Sequence, residues 1–289
     1  MAAAVPILVT GAPRSGTTWL ARLLAHAPGT ALAGREPMNP RGHQYALGGT
    51  LDGWTRLRTL SRRQKLDLGL AYRGLNPFVY SRYGARQWAA PLPRTRIVIK
   101  DPFAVLSLPV IADQTSACCV LLYRHPAALL ASYRRMGWRA DTEGLRTVVA
   151  SAARDGGPCV DHLPEAGEVG EAEELGHFWR ALHQLALADL DARPDLDVTV
   201  VSHARLAAGG ADAGRSLVAQ LRLAWDPAME HELQKEVSGA VRADQLHNFD
   251  RAPAHVAEAW RTRVSAADVG AIEKIAGDTL ARLERRAGG

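Results

Sequence analysis

The chain has 289 residues, 47% of them hydrophobic and 22% charged, enough to bury a substantial core as one large α/β domain or two small ones. Its uncharged apolar runs, such as SACCVLLY, fall far short of the ~20 residues that a membrane helix needs, and MAAAVPILV lacks the basic start of a signal peptide. The formal charge of +5 hides an asymmetry: residues 1–139 hold 19 Lys/Arg against 5 Asp/Glu, residues 140–289 hold 16 against 25. A basic half of this kind focuses an anionic ligand, unless its arginines are only solvated helix faces. No helix-turn-helix, zinc finger or aromatic-basic strand argues for nucleic acid. Three cysteines without a C-x-x-C, and histidines without H-x-x-x-H spacing, point to a reducing, cytoplasmic compartment and to no metal site.

In chain order, VPILVT (5–10) is an apolar run that ends in glycine, the pattern of a buried parallel strand. TTWLARLLAHA follows with Trp19, Leu20, Leu23 and Leu24 on one helical face. TALAG predicts a second strand, leading into REPMNP. Residues 52–95 read as helical or irregular. TRIVIKDP predicts a third strand and ACCVLLYRHP a fourth, followed by a helix with Pro126 in its first turn. Residues 140–172 are acidic and contain Gly and Pro, and are expected to form a mobile excursion. EAEELGHFWRALHQLALADL is a long amphipathic helix, LDVTVVSHARL a fifth strand and turn, and Ser265 caps a terminal helix. Alternating strands and helices predict an α/β fold of one domain over residues 1–289. It should be a three-layer sandwich with a central parallel sheet and its ligand at the strands' carboxyl ends.

The first strand–loop–helix resembles a nucleotide-triphosphate loop, G-x-x-x-x-G-K-[ST], with one substitution. Gly11, Gly16 and Thr18 keep their places, but Thr17 stands where the lysine belongs and the cation moves back to Arg14. Backbone N–H groups of residues 14–18 and the helix N-terminus would receive an anion. A second candidate lies in YRHPAALLASYRR. There Arg124 ends a strand and Ser132 lies within the next helix, so that both can reach one phosphate.

Together the two segments resemble the sulfotransferase family that uses 3′-phosphoadenosine 5′-phosphosulfate (PAPS), in its bacterial form. Pro13, Arg14, Ser15, Gly16, Thr17, Thr18 and Trp19 match the loop that grips the 5′-phosphosulfate end. Arg124, Pro126 and Ser132 keep the spacing of the segment that holds the 3′-phosphate. The resemblance implies a P-loop-like fold and sulfuryl transfer to a hydroxyl of a small-molecule or glycan acceptor, without metal. It covers roughly residues 5–136 by motif.

The small-molecule branch of that family uses a histidine two residues after a strand-end lysine, but here Lys100 is followed by Pro102 at that position. Carbohydrate and protein-tyrosine branches place a glutamate about twenty residues past the loop cation, and Glu36 stands 22 after Arg14. Arg14 and Glu36 are therefore the candidate electrophilic and basic pair, with His43 and Asp101 in reserve. Glu36 would otherwise form an ion pair with Arg35 or Arg41. Lys100 either steadies the sulfuryl oxygens or pairs with Asp101. Arg242, Arg251 and Arg263 are candidates to close over the nucleotide. Trp54, Trp88, Tyr45, Tyr72 and Tyr80 line an acceptor pocket or belong to the core. The alternatives are a P-loop kinase acting on a small alcohol with ATP and Mg²⁺, and a module that binds nucleotide without chemistry.

Overall fold

The computed structural model of the chain describes residues 4–40, 47–155, 158, 160–165, 167–234 and 257–288. Five strands form one parallel sheet: β1 (Ile7–Thr10), β2 (Thr30–Leu32), β3 (Arg96–Lys100), β4 (Cys118–Tyr123) and β5 (Val198–Ser202), in the order β2-β3-β1-β4-β5. Every residue of β1 and β4 is buried, as expected of strands covered on both faces. The pairing is set by Ile7↔Val98 and Ile7↔Cys118 on either side of β1, and by Leu32↔Val98 at the β2 edge.

Alternation along the strands divides the core. Ile7 and Val9 of β1, with Val120 and Leu122 of β4, pack against α1 (Thr17–Ala25), α7 (His203–Gln220) and α8 (Pro227–Gln234). Leu8 and Ile99 face the other way, toward α2 (Arg62–Tyr72) and α3 (Leu108–Thr115). Leu121 and Tyr123 meet α4 (Pro126–Met136), α5 (Thr142–Arg154), α6 (Glu171–Ala192) and α9 (Ala266–Gly288). The result is the α/β three-layer arrangement that the sequence predicts.

Helix ends follow their local chemistry. The Ser61 hydroxyl and the Gln64 side chain form a reciprocal capping box at α2. Pro126 occupies the first turn of α4, and His125 Nδ1 accepts the Ala127 N–H at 3.2 Å. Three glutamates fill the first turn of α6, complementing its dipole. Ser265 Oγ accepts the Asp268 N–H at 3.1 Å at the start of α9, as expected.

Two expectations differ. Part of the segment 140–172 is helical: α5 is capped by Asp141, whose carboxylate accepts the Gly144 N–H at 3.1 Å, and buries Leu145, Val148 and Ala152. After β5 no turn intervenes, because Ser202 ends the strand and caps α7 by accepting the Arg205 N–H. Among the described residues no helix is long and apolar enough to cross a membrane.

Candidate active site

The loop after β1 turns because two glycines are unavoidable in it. A Cβ on Gly11 (φ 145°) would lie 2.0 Å from the Leu122 carbonyl oxygen, and one on Gly16 (φ 101°) would lie 2.5 Å from the His203 ring. Between them Arg14 also takes a left-handed conformation (φ 72°), which costs energy for a non-glycine residue. The turn closes when the Ser15 N–H meets the Ala12 carbonyl at 3.0 Å. Gly16 then starts α1 with no side-chain cap and no acidic residue in the first turn. The N–H groups of that turn are therefore left for an anion. Ser15 is fully buried, and its Oγ has no hydrogen-bond partner among the described residues. Thr17 is buried, and Trp19 tilts against the His203 ring at 5.3 Å.

The two sequence segments meet in space. Arg14 Nε donates to Ser132 Oγ at 3.1 Å, while Arg124 donates to the Arg14 carbonyl at 3.4 Å. Arg124 is held from behind by Trp179, whose Nε1 donates to its carbonyl at 3.0 Å. The Arg14 guanidinium lies 5.8 Å from the centre of the Trp138 ring. Burial, then the neighbouring charges of Arg14 and Arg135, pushes the Arg124 guanidinium down to about 10. Burial likewise lowers Arg14. Like charges gathered in a desolvated site raise its energy until an anion neutralises them.

Sheet order sets this meeting and one more. Because β1 lies between β3 and β4, the loop is flanked by Lys100 at the end of β3 and Arg124 just past β4. One strand further, β2 delivers Glu36. Lys100 Nζ bonds Glu36 Oε1, and Asn39 Nδ2 donates to Glu36 Oε2 at 2.5 Å. Lys100 thus pairs with Glu36 rather than with Asp101, and an ion pair of Glu36 with Arg41 falls outside the described residues. Thr18, Glu36 and Lys100 line one cavity of about 550 Å³.

Asp101 is fully buried and structural. One carboxylate oxygen accepts the Met38 N–H at 2.5 Å and the other the Phe103 N–H at 3.1 Å, which ties the Glu36 loop to the end of β3. Burial and then the Glu36 charge push the Asp101 carboxyl up to about 8. Asp101 is therefore removed from the candidate bases by inaccessibility. Trp54 and Tyr72 are core residues, whereas Trp88 is 78% exposed. Tyr80 bonds the Gly74 carbonyl, and Arg263 is exposed. His43, Tyr45, Arg41, Arg242, Arg251 and Cys159 lie outside the described residues. Cys118 and Cys119 are buried thiols. No group of three or more His, Cys, Asp or Glu among the described residues is placed to hold a metal.

Three participants escape sequence reasoning. His203 walls the loop at Gly16, Trp138 backs Arg14, and Asn39 steadies Glu36. Only Asn39 carries a local signal, three residues after the candidate base.

The sulfotransferase family model matches residues 6–227. Among solved structures, the sulfotransferase domain from the curacin biosynthetic pathway is similar with a TM-score of 0.50 at 16% identity, over 95% of this chain and 98% of that one. The sulfotransferase domain from the Synechococcus PCC 7002 olefin synthase gives a TM-score of 0.48 at 18% identity over 94% of each chain. No curated protein matches the sequence. The kinase alternative finds no support in these comparisons.

Proposed function

Because the chain belongs to the sulfotransferase family, we propose that it transfers the sulfuryl group of PAPS to a hydroxyl of a small-molecule or glycan acceptor. The observation that carries the reading is the convergence of Arg14, Arg124 and Ser132, two guanidiniums and a hydroxyl from distant segments, beside an uncapped helix N-terminus. Such a cluster suits a ligand with two separated phosphate groups. The buried Ser15 hydroxyl and the Gly16 cradle fit an anion seated against the loop.

In this reading the N–H groups at the start of α1, with Ser15, Thr17 and Thr18, hold the 5′-phosphate, while Arg124 and Ser132 hold the 3′-phosphate. Bound there, the donor supplies a sulfuryl group whose bond to the 5′-phosphate oxygen breaks as an acceptor oxygen bonds to sulfur. Arg14 stabilises the negative charge that grows on the leaving phosphate; a guanidinium stays protonated, so its role is electrostatic. Glu36 takes the acceptor's hydroxyl proton. Lys100 and Asn39 each bind one of its oxygens and fix its direction, and each oxygen keeps a lone pair for the hydroxyl. The products are a sulfate ester and adenosine 3′,5′-bisphosphate.

Calorimetry with adenosine 3′,5′-bisphosphate in EDTA tests the reading. Saturable binding without metal is expected. Binding of ATP that requires Mg²⁺, with none of the bisphosphate, would falsify it.

A further inference from the structure

Exposed apolar side chains gather on one excursion of the chain. Among the described residues seven large hydrophobic side chains are exposed. Six of them, Leu66, Leu75, Phe78, Tyr83, Trp88 and Leu92, lie in α2 and the loop that leads from it to β3. Single exposed leucines need no explanation, but such a concentration marks an interaction surface. The same stretch is basic: residues 62–94 carry seven Lys/Arg and one acidic residue, Asp67. All seven cations are exposed, and the pair of Arg63 Nε with Asp67 at 3.9 Å is the only ion pair they form among the described residues. Arg86 is spent on the end of α1, where it donates to the Ala27 carbonyl at 2.8 Å.

Small and polar residues close the loop at residues 74–92, which leaves its large side chains outside. Gly74 packs on Ala90 so tightly that a Cβ would lie 2.6 Å from the Ala90 carbonyl carbon, and the Tyr80 hydroxyl bonds the Gly74 carbonyl. At the tip the Ser81 N–H donates to Gln87 Oε1 at 2.9 Å, and Gln87 Nε2 donates to the Ser81 carbonyl at 2.6 Å. Ala85 and Leu32 exchange backbone hydrogen bonds at 2.9 and 3.1 Å, fastening the loop to the β2 edge. The Gly74–Ala90 contact brings Leu75 close to Trp88 and Leu92, which stand two residues to either side of Ala90. Leu66 shares a face of α2 with Leu70, and Arg73 follows on that face toward Leu75. Leucines, an indole and cations thus form one patch on a braced support, and Trp88 is 78% exposed in it.

Charge decides what covers the patch. A second copy docked through the same face would set these cations against their own kind, since a two-fold interface repeats one surface. A nucleic acid would answer the cations and stack on Trp88, but it offers Leu66, Leu75 and Leu92 nothing to pack on. The surface of an anionic bilayer answers all three groups at successive depths: headgroups for the cations, the interface for the indole, the acyl boundary for the leucines. We infer that this face, α2 with the loop at residues 74–92, docks on an anionic lipid surface, with Trp88 and Leu92 entering the interface and Arg73 and Arg94 meeting the headgroups. The docking does not depend on the sulfotransferase reading.

The test sediments the full chain with vesicles of phosphatidylcholine alone and of equal parts phosphatidylcholine and phosphatidylglycerol. Binding to the anionic vesicles should be at least about tenfold stronger and should weaken as salt rises. Arg73→Gln with Arg94→Gln should remove at least about tenfold of it, and Trp88→Ser about tenfold. These side chains are exposed, so thermal unfolding should stay unchanged in every variant. Insertion is read by fluorescence, because Trp88 is the only exposed indole among the described residues. Phospholipids brominated in their acyl chains should quench the unsubstituted chain, and quench Trp88→Phe much less. No binding, equal binding to both vesicles, binding indifferent to these variants, or quenching equal with and without Trp88 each overturns the inference. So does finding that Trp88→Ser abolishes self-association or binding of an oligodeoxynucleotide while vesicle binding is absent or unaffected. Bisphosphate affinity is read separately: its absence in the unsubstituted chain defeats the sulfotransferase reading and leaves the docking face standing.

Discussion

Arg14 and Ser132, 118 positions apart in sequence, meet through a 3.1 Å hydrogen bond from Nε to Oγ, and this contact joins the two segments proposed to bind phosphate. Arg124 completes it through the Arg14 carbonyl. Removing the Arg124 guanidinium should weaken adenosine 3′,5′-bisphosphate binding by about 1.5–3 kcal/mol, the range for hydrogen bonds to charged groups. Ser132→Ala should cost less, about 0.5–1.5 kcal/mol. The loss at Arg124 should shrink for adenosine 5′-phosphosulfate, which lacks the 3′-phosphate. Calorimetry on both ligands decides, and equal weakening would make Arg124 a structural residue.

The strand–loop–helix, the five strands and the helix after β4 were legible because each rests on local signals: apolar runs, glycine spacing and Pro126 at a helix start. The partner of Lys100 was not. Asp101 is its neighbour in sequence, but successive side chains of an extended chain point to opposite sides. The register Leu32↔Val98 instead sets the end of β2 beside the end of β3, where Glu36 bonds Lys100. The helix α5 was hidden by Gly, Pro and acidic residues around it, although Leu145, Val148 and Ala152 keep helical spacing. His203 belongs to no motif, and only the parallel pairing of β4 with β5 brings it to Gly16.

Gly16→Ala should disable the loop sterically. The new Cβ would meet His203 at 2.5 Å, with the ring itself buried and unable to yield cheaply, and φ 101° disfavours any side chain. Overpacking and backbone strain together predict a loss of about 2–4 kcal/mol in urea unfolding. Adding His203→Ala should recover the steric part and leave the backbone part. A double variant as unstable as the single one would show that the contact is irrelevant.

Two buried histidines make stability depend on pH. Burial, aided by the Arg124 charge, pushes His203 down to about 3, and burial pushes His183 down to about 4. Both are neutral in the folded chain, whereas in the unfolded chain they protonate below about 6.5. Their contribution is therefore present above 6.5 and lost as pH falls toward 4, by about 1.4 kcal/mol per pH unit for each. Asp101, raised to about 8, acts in the opposite sense between about 8 and 4, so the total slope is smaller than the histidines alone would give. The difference between proteins isolates the effect. In urea titrations from pH 6.5 to 4.5, His183→Gln should lose stability less steeply than the unsubstituted chain by about 1.4 kcal/mol per unit. Parallel profiles would show that His183 is not held neutral.

Glu36 is the remaining test of the mechanism, and the geometry narrows its competitors. Asp101 is fully buried with both oxygens bonded to backbone N–H groups, so it cannot meet an acceptor. Lys100 is engaged as the partner of Glu36. Glu36 lines the same cavity as Thr18 at the start of α1, which is where the proposed reaction needs a base. Glu36→Gln keeps the shape and removes the basicity, so turnover should fall roughly 10²–10⁴-fold while bisphosphate affinity is kept. Lys100→Met frees one Glu36 oxygen from its anchor and should lower turnover less than loss of the carboxylate itself. Arg14→Ala should differ from both by weakening donor binding and turnover together, because its charge serves the ground state as well as the transition state. The measurement is sulfuryl transfer from labelled donor to an acceptor found by screening hydroxylated compounds with that donor. Near-normal turnover by Glu36→Gln would take Glu36 out of the reaction and leave His43 as the next residue to substitute.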